Sequence, residues 1–282
     1  MNLLALRDVC QGWCEDIFGS GMFESVETVL NINPSTGSYS TAWNVVESLY
    51  NNVCMPIAMG LVLIYFMVNL IEKGTQQQGF DMEHLFKLLL KLFVGLYFIE
   101  HGLEIMCSIY SLSFAFLQKI TAVAGGDGPA DMAKTMWTQL TGESWDGEWK
   151  GLKAVLNFCG VGLQLLIPWI ASLILKVIVN FVCFTRLIEF YIKTACAPIA
   201  LSDFFTEGIH GNGWRFLKGY IAVALQAGVI LLAIVFYNAI QTAFLTDSSY
   251  MGYLVKFLAL GFTVAGIMLK SLSLTKEIVG AN

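Results

Sequence analysis

The segment from Val155 to Phe184 constrains the fold most, because it is dominated by leucine, isoleucine and valine over a length that can cross a membrane. Only 13% of the chain is charged and its mean hydropathy is +0.67, whereas a soluble domain of this size carries roughly a quarter charged residues. A soluble domain, a disordered chain, a fibre and a coiled coil are therefore excluded. We predict an all-α, polytopic helical membrane protein.

Four further segments predict the remaining spans. The clearest has Pro56 in its first turn, where proline is tolerated. The weakest carries Lys87 and Lys91 at its start, and it contains no run of about 20 uncharged residues. We therefore expect about five transmembrane helices, with the four further ones at Val53–Ile71, Leu85–Leu117, Tyr220–Phe244 and Gly252–Leu269.

Basic residues predict the orientation, since lysine and arginine concentrate in cytoplasmic segments. Ten of the sixteen lie in residues 72–91, 176–218 and the tail from Lys270. These segments are expected in the cytoplasm of a bacterial cell, which leaves the N-terminus outside and the C-terminus inside. The expected domains are an extracytoplasmic segment (1–51), two membrane helices (52–117), an extracytoplasmic loop (118–153) and a membrane core with a cytoplasmic bend and short tail (154–282, with the bend at 186–218).

Motifs for catalysis are missing from the sequence. It contains no Walker loop, HExxH or GxSxG pattern, and its net charge of −5 provides no basic footprint for nucleic acid. Seven scattered cysteines resemble neither a disulfide framework nor a zinc site. Cys10 and Cys14 share a helix face, which more often reflects packing than metal binding. We expect no enzyme activity, cofactor or metal.

Glu100, His101 and Glu104 form the most unusual charged group, because they stand in the middle of the second predicted span. If the helix is continuous, they lie near the middle of the membrane and are candidates for a channel or assembly site. The alternative is a span that ends near Ile99. In that case Gly102 marks a break, and Ile105–Leu117 forms an outer amphipathic helix or packs on a neighbour.

A second charged group follows the third span. Arg186, Glu189 and Lys193 are three and four residues apart, a spacing suited to pairs within a helix. They form either a solvated helix face or a ring of paired charge at the inner mouth of a pore. Pro198 predicts a non-spanning bend, and Trp214 begins an amphipathic run at the interface. We expect Asp203, Glu207 and His210 to face the cytoplasm, where an ATPase could dock.

The order of these elements resembles the TrbL family, the polytopic membrane subunits of conjugative type IV secretion systems in Gram-positive elements. The resemblance is carried by Arg186–Leu201 with its Ala-Pro-Ile segment, the Gly211-Asn-Gly213 turn, the Trp214–Lys218 run and Ala224-Leu-Gln226. It implies no catalysis. It implies docking to a membrane-bound conjugation ATPase and to small bitopic subunits, and the transient passage of a DNA–protein substrate through the cell membrane.

Two functions remain open from the sequence. One is a translocation-channel subunit, and the other is a self-contained secondary transporter or ion channel. A transporter favours broken helices in both halves of the chain, whereas a proline-broken element occurs near residue 198 without a counterpart in the first half. This favours the channel subunit. Since five spans enclose little room for a macromolecule, we expect a homo-oligomer surrounded by membrane lipid.

Overall fold

A computed structural model describes residues 3–18, 30, 39–76, 82–124, 130–142, 152–205, 211–244 and 250–281. Within these ranges every regular element is a helix, which confirms the all-α fold. Residues 125–129 and 143–151 of the expected extracytoplasmic loop lie outside the described residues, as do Glu207 and His210. The helices are α1 (Leu3–Phe18), α2 (Ser40–Leu49), α3 (Met55–Gln76), α4 (Met82–Glu100), α5 (Gly102–Ala124), α6 (Ala130–Thr141), α7 (Leu152–Leu201), α8 (Asn212–Phe244), α9 (Tyr250–Leu269) and α10 (Ser271–Val279).

Candidate membrane spans agree in number with the sequence. Among the described residues, four helical segments are long and apolar enough to cross a membrane, and a bent pair formed by α9 and α10 makes a fifth if it counts as one span. This confirms a polytopic membrane protein with about five spans. The four segments are Ser40–Glu72, Gly102–Val123, Cys159–Phe204 and Asn212–Gln241.

The second span differs in position from the prediction. The helix breaks at His101, between α4 and α5, so residues 85–117 are not continuous. Of the two pieces, the Gly102–Val123 part of α5 is a candidate span. Gly102 begins α5 directly after the break, and its missing side chain allows Tyr50 to approach closely, since a methyl group there would overlap the Tyr50 hydroxyl.

The helices divide into two compact units. The first unit comprises residues 1–32, 116–184 and 227–271, and the second comprises residues 33–115, 185–226 and 272–282. Residues 1–51, expected as one extracytoplasmic segment, contribute α1 to the first unit and α2 to the second. The expected tail from Lys270 likewise contributes the helix α10 to the second unit.

The first unit buries an apolar core in which α1 and α6 take part. Cys14, Phe18 and Trp137 are almost fully buried in this core. The indole of Trp13 lies 5.4 Å from that of Trp169, and the Cys14 thiol donates to the carbonyl of Ala133 at 3.4 Å. The two pieces expected outside the membrane therefore pack on each other and on α7. Their apolar faces explain this, since burial of each large side chain contributes about 1.5–3 kcal/mol.

Lys176 lies in the most apolar part of α7, and Asp16 of α1 provides its charge partner at 2.9 Å. We expect Asp16→Asn to destabilise the docking of α1 by about 0.2–1 kcal/mol, since the pair is partly exposed. A double-mutant cycle with Lys176→Met in detergent-solubilised protein measures the coupling. Glu15→Gln, on the exposed side of α1, is the matched control. A coupling energy of zero would contradict the pairing.

Cys10 and Cys14 are buried in this core, and burial raises the pKa of the Cys10 thiol to about 11 and of the Cys14 thiol to about 12. Both thiols therefore stay protonated at neutral pH, and the thiolate is the reactive form. We expect neither to react with a maleimide at pH 7.5 until the protein is denatured. Mass spectrometry of labelled peptides measures this. Labelling of Cys14 in the folded protein would show that α1 is not docked.

The second unit places α3 and α4 against each other as an antiparallel hairpin. Ala58 and Val62 of α3 share a buried cluster with Ile99 of α4. At the base of the hairpin a π-helical turn, Tyr50–Cys54, joins α2 to α3. There the hydroxyl of Tyr50 donates to the carbonyl of Ile99 at 2.8 Å, which satisfies an acceptor in the last turn of α4.

This base brings together two segments that the sequence assigns to opposite sides of the membrane. Tyr50 belongs to the expected extracytoplasmic segment (1–51), and Leu201 belongs to the expected cytoplasmic bend (186–218). Both contact the same point, because a methyl group at Gly102 would overlap the Tyr50 hydroxyl and lie 2.9 Å from Leu201 Cδ1. Phe98 and Phe204 also stack at 5.4 Å. Tyr50 and Leu201 are therefore neighbours.

The end of α7 lies close to the expected bend. The helix runs through Pro198 and ends at Leu201, followed by a 3₁₀ turn at Ser202–Phe205. The Asp203 carboxylate accepts a hydrogen bond from the Asn212 backbone N–H at 2.7 Å. It thereby satisfies a donor at the start of α8. Pro198 is thus a buried residue in the last turn of α7, and the break follows three residues later.

Candidate functional site

Arg186 lies at the centre of a buried polar contact among α5, α7 and α8 in the second unit. Only 6% of the residue is exposed. Its Nε donates to the carbonyl of Val223 and its Nη2 to the carbonyl of Ala224, each at 3.2 Å. The hydroxyl of Ser113, also buried, donates to the same Ala224 carbonyl. We call Arg186, Ser113, Val223 and Ala224 the arginine clasp, since side chains from α5 and α7 converge on the backbone of α8.

Aromatic rings and hydroxyl groups of the same three helices pack beside the arginine clasp. The Tyr220 hydroxyl is 3.0 Å from the Thr194 hydroxyl and donates to the Met106 carbonyl at 3.4 Å. The ring of Phe190 packs on Tyr110 at 4.7 Å and on Tyr220 at 5.4 Å. These contacts again connect α5, α7 and α8. Buried polar groups bonded in this way fix the register of neighbouring helices in a membrane.

Glu189 and Lys193 form the pair that their spacing of four residues predicts, with Lys193 Nζ 2.9 Å from the Glu189 carboxylate. Lys193 Nζ also donates to the carbonyl of Gly219 at 3.3 Å. The pair is partly buried rather than fully solvated. Glu189 and Lys193 therefore pair with each other, whereas Arg186 donates to carbonyls of α8.

Trp214 lies in the first turn of α8, half-buried, with Lys218 Nζ 6.0 Å above its ring. Lys218 Nζ also donates to the carbonyl of Gly280 at 3.3 Å. Gly280 adopts a positive φ of 67° and ends α10, as expected of a glycine at a helix C-terminus. The basic-aromatic run and the C-terminal helix therefore lie on the same side of the second unit.

Glu100, His101 and Glu104 stand at the break between α4 and α5. His101 stacks on Tyr97 at 4.3 Å, whereas both carboxylates are exposed. Within the part of the chain that the structure describes, no group of three or more metal-ligating side chains is assembled. The arginine clasp and this charged group each include one residue of α5, Ser113 and Glu104, and they do not share a hydrogen bond among the bonds described above.

Sequence reasoning missed Tyr50, Ser113, Thr194 and Tyr220. A single serine or tyrosine in an apolar span carries no periodic signal, and its partner is a backbone carbonyl of another helix. Gly102 offered the one usable signal, because an isolated glycine beside charged residues suggests a close approach. The residue that approaches it could not be read from the sequence.

A family model described as TrbL/VirB6 plasmid conjugal transfer like protein matches residues 24–198, more than half of the chain. The match includes Arg186, Glu189 and Lys193 of α7 and ends at Pro198. The α8 half of the arginine clasp therefore lies beyond it. No curated protein and no solved structure matches the chain.

Proposed function

Because the chain belongs to the TrbL/VirB6 family of plasmid conjugal transfer proteins, we propose that it is a non-enzymatic channel and scaffold subunit of a conjugative type IV secretion machine. The family match over residues 24–198 is the observation that carries this proposal. The candidate spans support a multi-pass position in the bacterial cell membrane. The arginine clasp supports a scaffold role, since its polar groups bond helices to one another.

The proposed partners are further copies of this chain, the conjugation ATPase, small bitopic subunits and membrane lipid. The transferred DNA–protein substrate contacts the subunit only transiently. Affinity isolation from native membranes tests the scaffold role. We expect the tagged protein to migrate on a blue-native gel as a complex larger than a monomer, together with the ATPase. A monomer without the ATPase would contradict the scaffold role.

We propose that α1 and α6 face outward and that the C-terminal helix α10 faces the cytoplasm. The contact of Cys14 with Ala133 supports a common side for α1 and α6. The contact of Lys218 with Gly280 supports a common side for the basic run and α10. A membrane-impermeant thiol reagent, applied to intact cells without native cysteines, should label Thr138→Cys and not Ser273→Cys. The opposite labelling would reverse the orientation.

A further inference from the structure

Helices α2 and α5 each carry a polar stripe within a candidate membrane span. The stripe on α2 and its π-helical turn is exposed, and so is the stripe on α5. Residues three and four apart share a helix face, so each set forms one continuous surface. The stripes consist of Ser40, Asn44, Glu47, Ser48 and Asn51 on the first helix and Glu104, Ser108 and Ser111 on the second.

The two stripes lie next to each other. Trp43 and Val46 of α2 share a buried cluster with Met106 of α5. Cys107 of α5 lies near both Glu47 and Glu104. The two helices therefore pack side by side, and their stripes form one surface, which we call the α2–α5 polar face.

Large apolar side chains are exposed on α3 and α7 of the second unit. Ile64 and Val68 of α3 are more than half exposed, as are Ile188 and Ile192 of α7. Lipid tails suit these surfaces. They do not suit the α2–α5 polar face, because Glu47 and Glu104 lie within candidate spans and a carboxylate in the hydrocarbon region of a bilayer is costly. Carboxylates within membrane spans face a water-filled cavity or the interior of an assembly.

We propose that the α2–α5 polar face lines a water-filled opening of the assembled machine and favours cations over polyanions. The inference rests on the proposed function, since one copy leaves this face on its outside. Glu47 and Glu104 give the face its negative charge, and a surface of one sign concentrates ions of the opposite sign. Cationic groups of a transferred protein fit this surface, whereas the phosphates of DNA are repelled.

Thiol reactivity tests the face in membranes of cells that contain the complete machine. Ser108→Cys and Asn44→Cys, each without native cysteines, report the face from two helices. Ile192→Cys is the control at similar depth, because Tyr110, two residues after Ser108, packs on Phe190. We expect water-soluble methanethiosulfonate reagents to modify the first two at least about tenfold faster than the control. At Ser108→Cys the cationic reagent should exceed the anionic one by about tenfold, and Glu104→Gln should reduce that ratio.

Reaction at Ser108→Cys and Asn44→Cys no faster than at Ile192→Cys would overturn the inference. Equal rates with both reagents would overturn the preference for cations. Rates are normalised to the amount of each variant in the membrane, and DNA transfer is measured in the same cells. If Ser108→Cys and Asn44→Cys are labelled slowly while DNA transfer remains intact, the water-filled position of the α2–α5 polar face is refuted and the proposed function is not. Transfer that does not need the protein refutes the proposed function, whatever the labelling.

Discussion

Arg186→Ala is expected to lower the stability of the detergent-solubilised protein by about 2 kcal/mol, since it removes two charge-assisted hydrogen bonds inside the membrane region. Thermal unfolding followed by size-exclusion fluorescence measures the loss. Arg186→Lys keeps the charge, but a single ammonium cannot reproduce the planar fork that reaches two carbonyls. It should therefore fall between wild type and alanine. Arg215→Ala, at an exposed arginine of α8, should change stability by less than about 0.5 kcal/mol.

The exchange of charge between Arg186 and Glu189 separates two accounts of the arginine. If the two residues were paired with each other, Arg186→Glu together with Glu189→Arg would restore what either single change loses. The structure predicts no recovery, because a glutamate at position 186 directs acceptor oxygens at the carbonyls of Val223 and Ala224. Recovery of assembly by the double variant would contradict the arginine clasp.

Gly213→Ala is expected to destabilise the protein by about 1–3 kcal/mol, as overpacking of a close contact usually does. A methyl group there would lie 2.8 Å from a ring carbon of Phe204 and 2.9 Å from the Ala200 carbonyl oxygen. The oxygen belongs to the backbone, so it cannot move aside cheaply. The change should loosen the junction between α7 and α8, and the same unfolding assay measures it.

Gly219→Ala is the matched control in the same helix. Nothing lies within 4 Å of a methyl group at Gly219, and alanine is about 1 kcal/mol better than glycine in a helix interior. Gly219→Ala should therefore leave stability unchanged or raise it. Equal losses from the two glycine substitutions would show that α7 and α8 do not approach closely at Gly213.

The number of spans was predictable because hydrophobic length alone decides it. The Glu189–Lys193 pair was predictable because a spacing of four residues places both side chains on one helix face. A break near Gly102 was among the alternatives, since charged residues in mid-span are costly. Each of these features depends on local sequence, and a single pass along the chain is enough to find it.

Contacts between distant segments could not be predicted in the same way. The count of basic residues assigns each segment to one side of the membrane, but it does not tell which turns of different helices contact each other. It therefore separated Tyr50 from Leu201, which both contact Gly102. The spacing of three residues suggested Glu189 as a partner for Arg186, whereas Arg186 donates hydrogen bonds to carbonyls of α8. Every helix residue has a carbonyl, so the sequence does not identify these acceptors.

The most direct test of the central claim is the frequency of DNA transfer from donors with an in-frame deletion of the gene. We predict that transfer falls to background and that the wild-type gene restores it when supplied in trans. Arg186→Ala should restore it poorly and Arg215→Ala fully, because only the first change breaks the arginine clasp. Unchanged transfer from the deletion strain, with the rest of the machine intact, would contradict the role of this protein as a conjugation subunit.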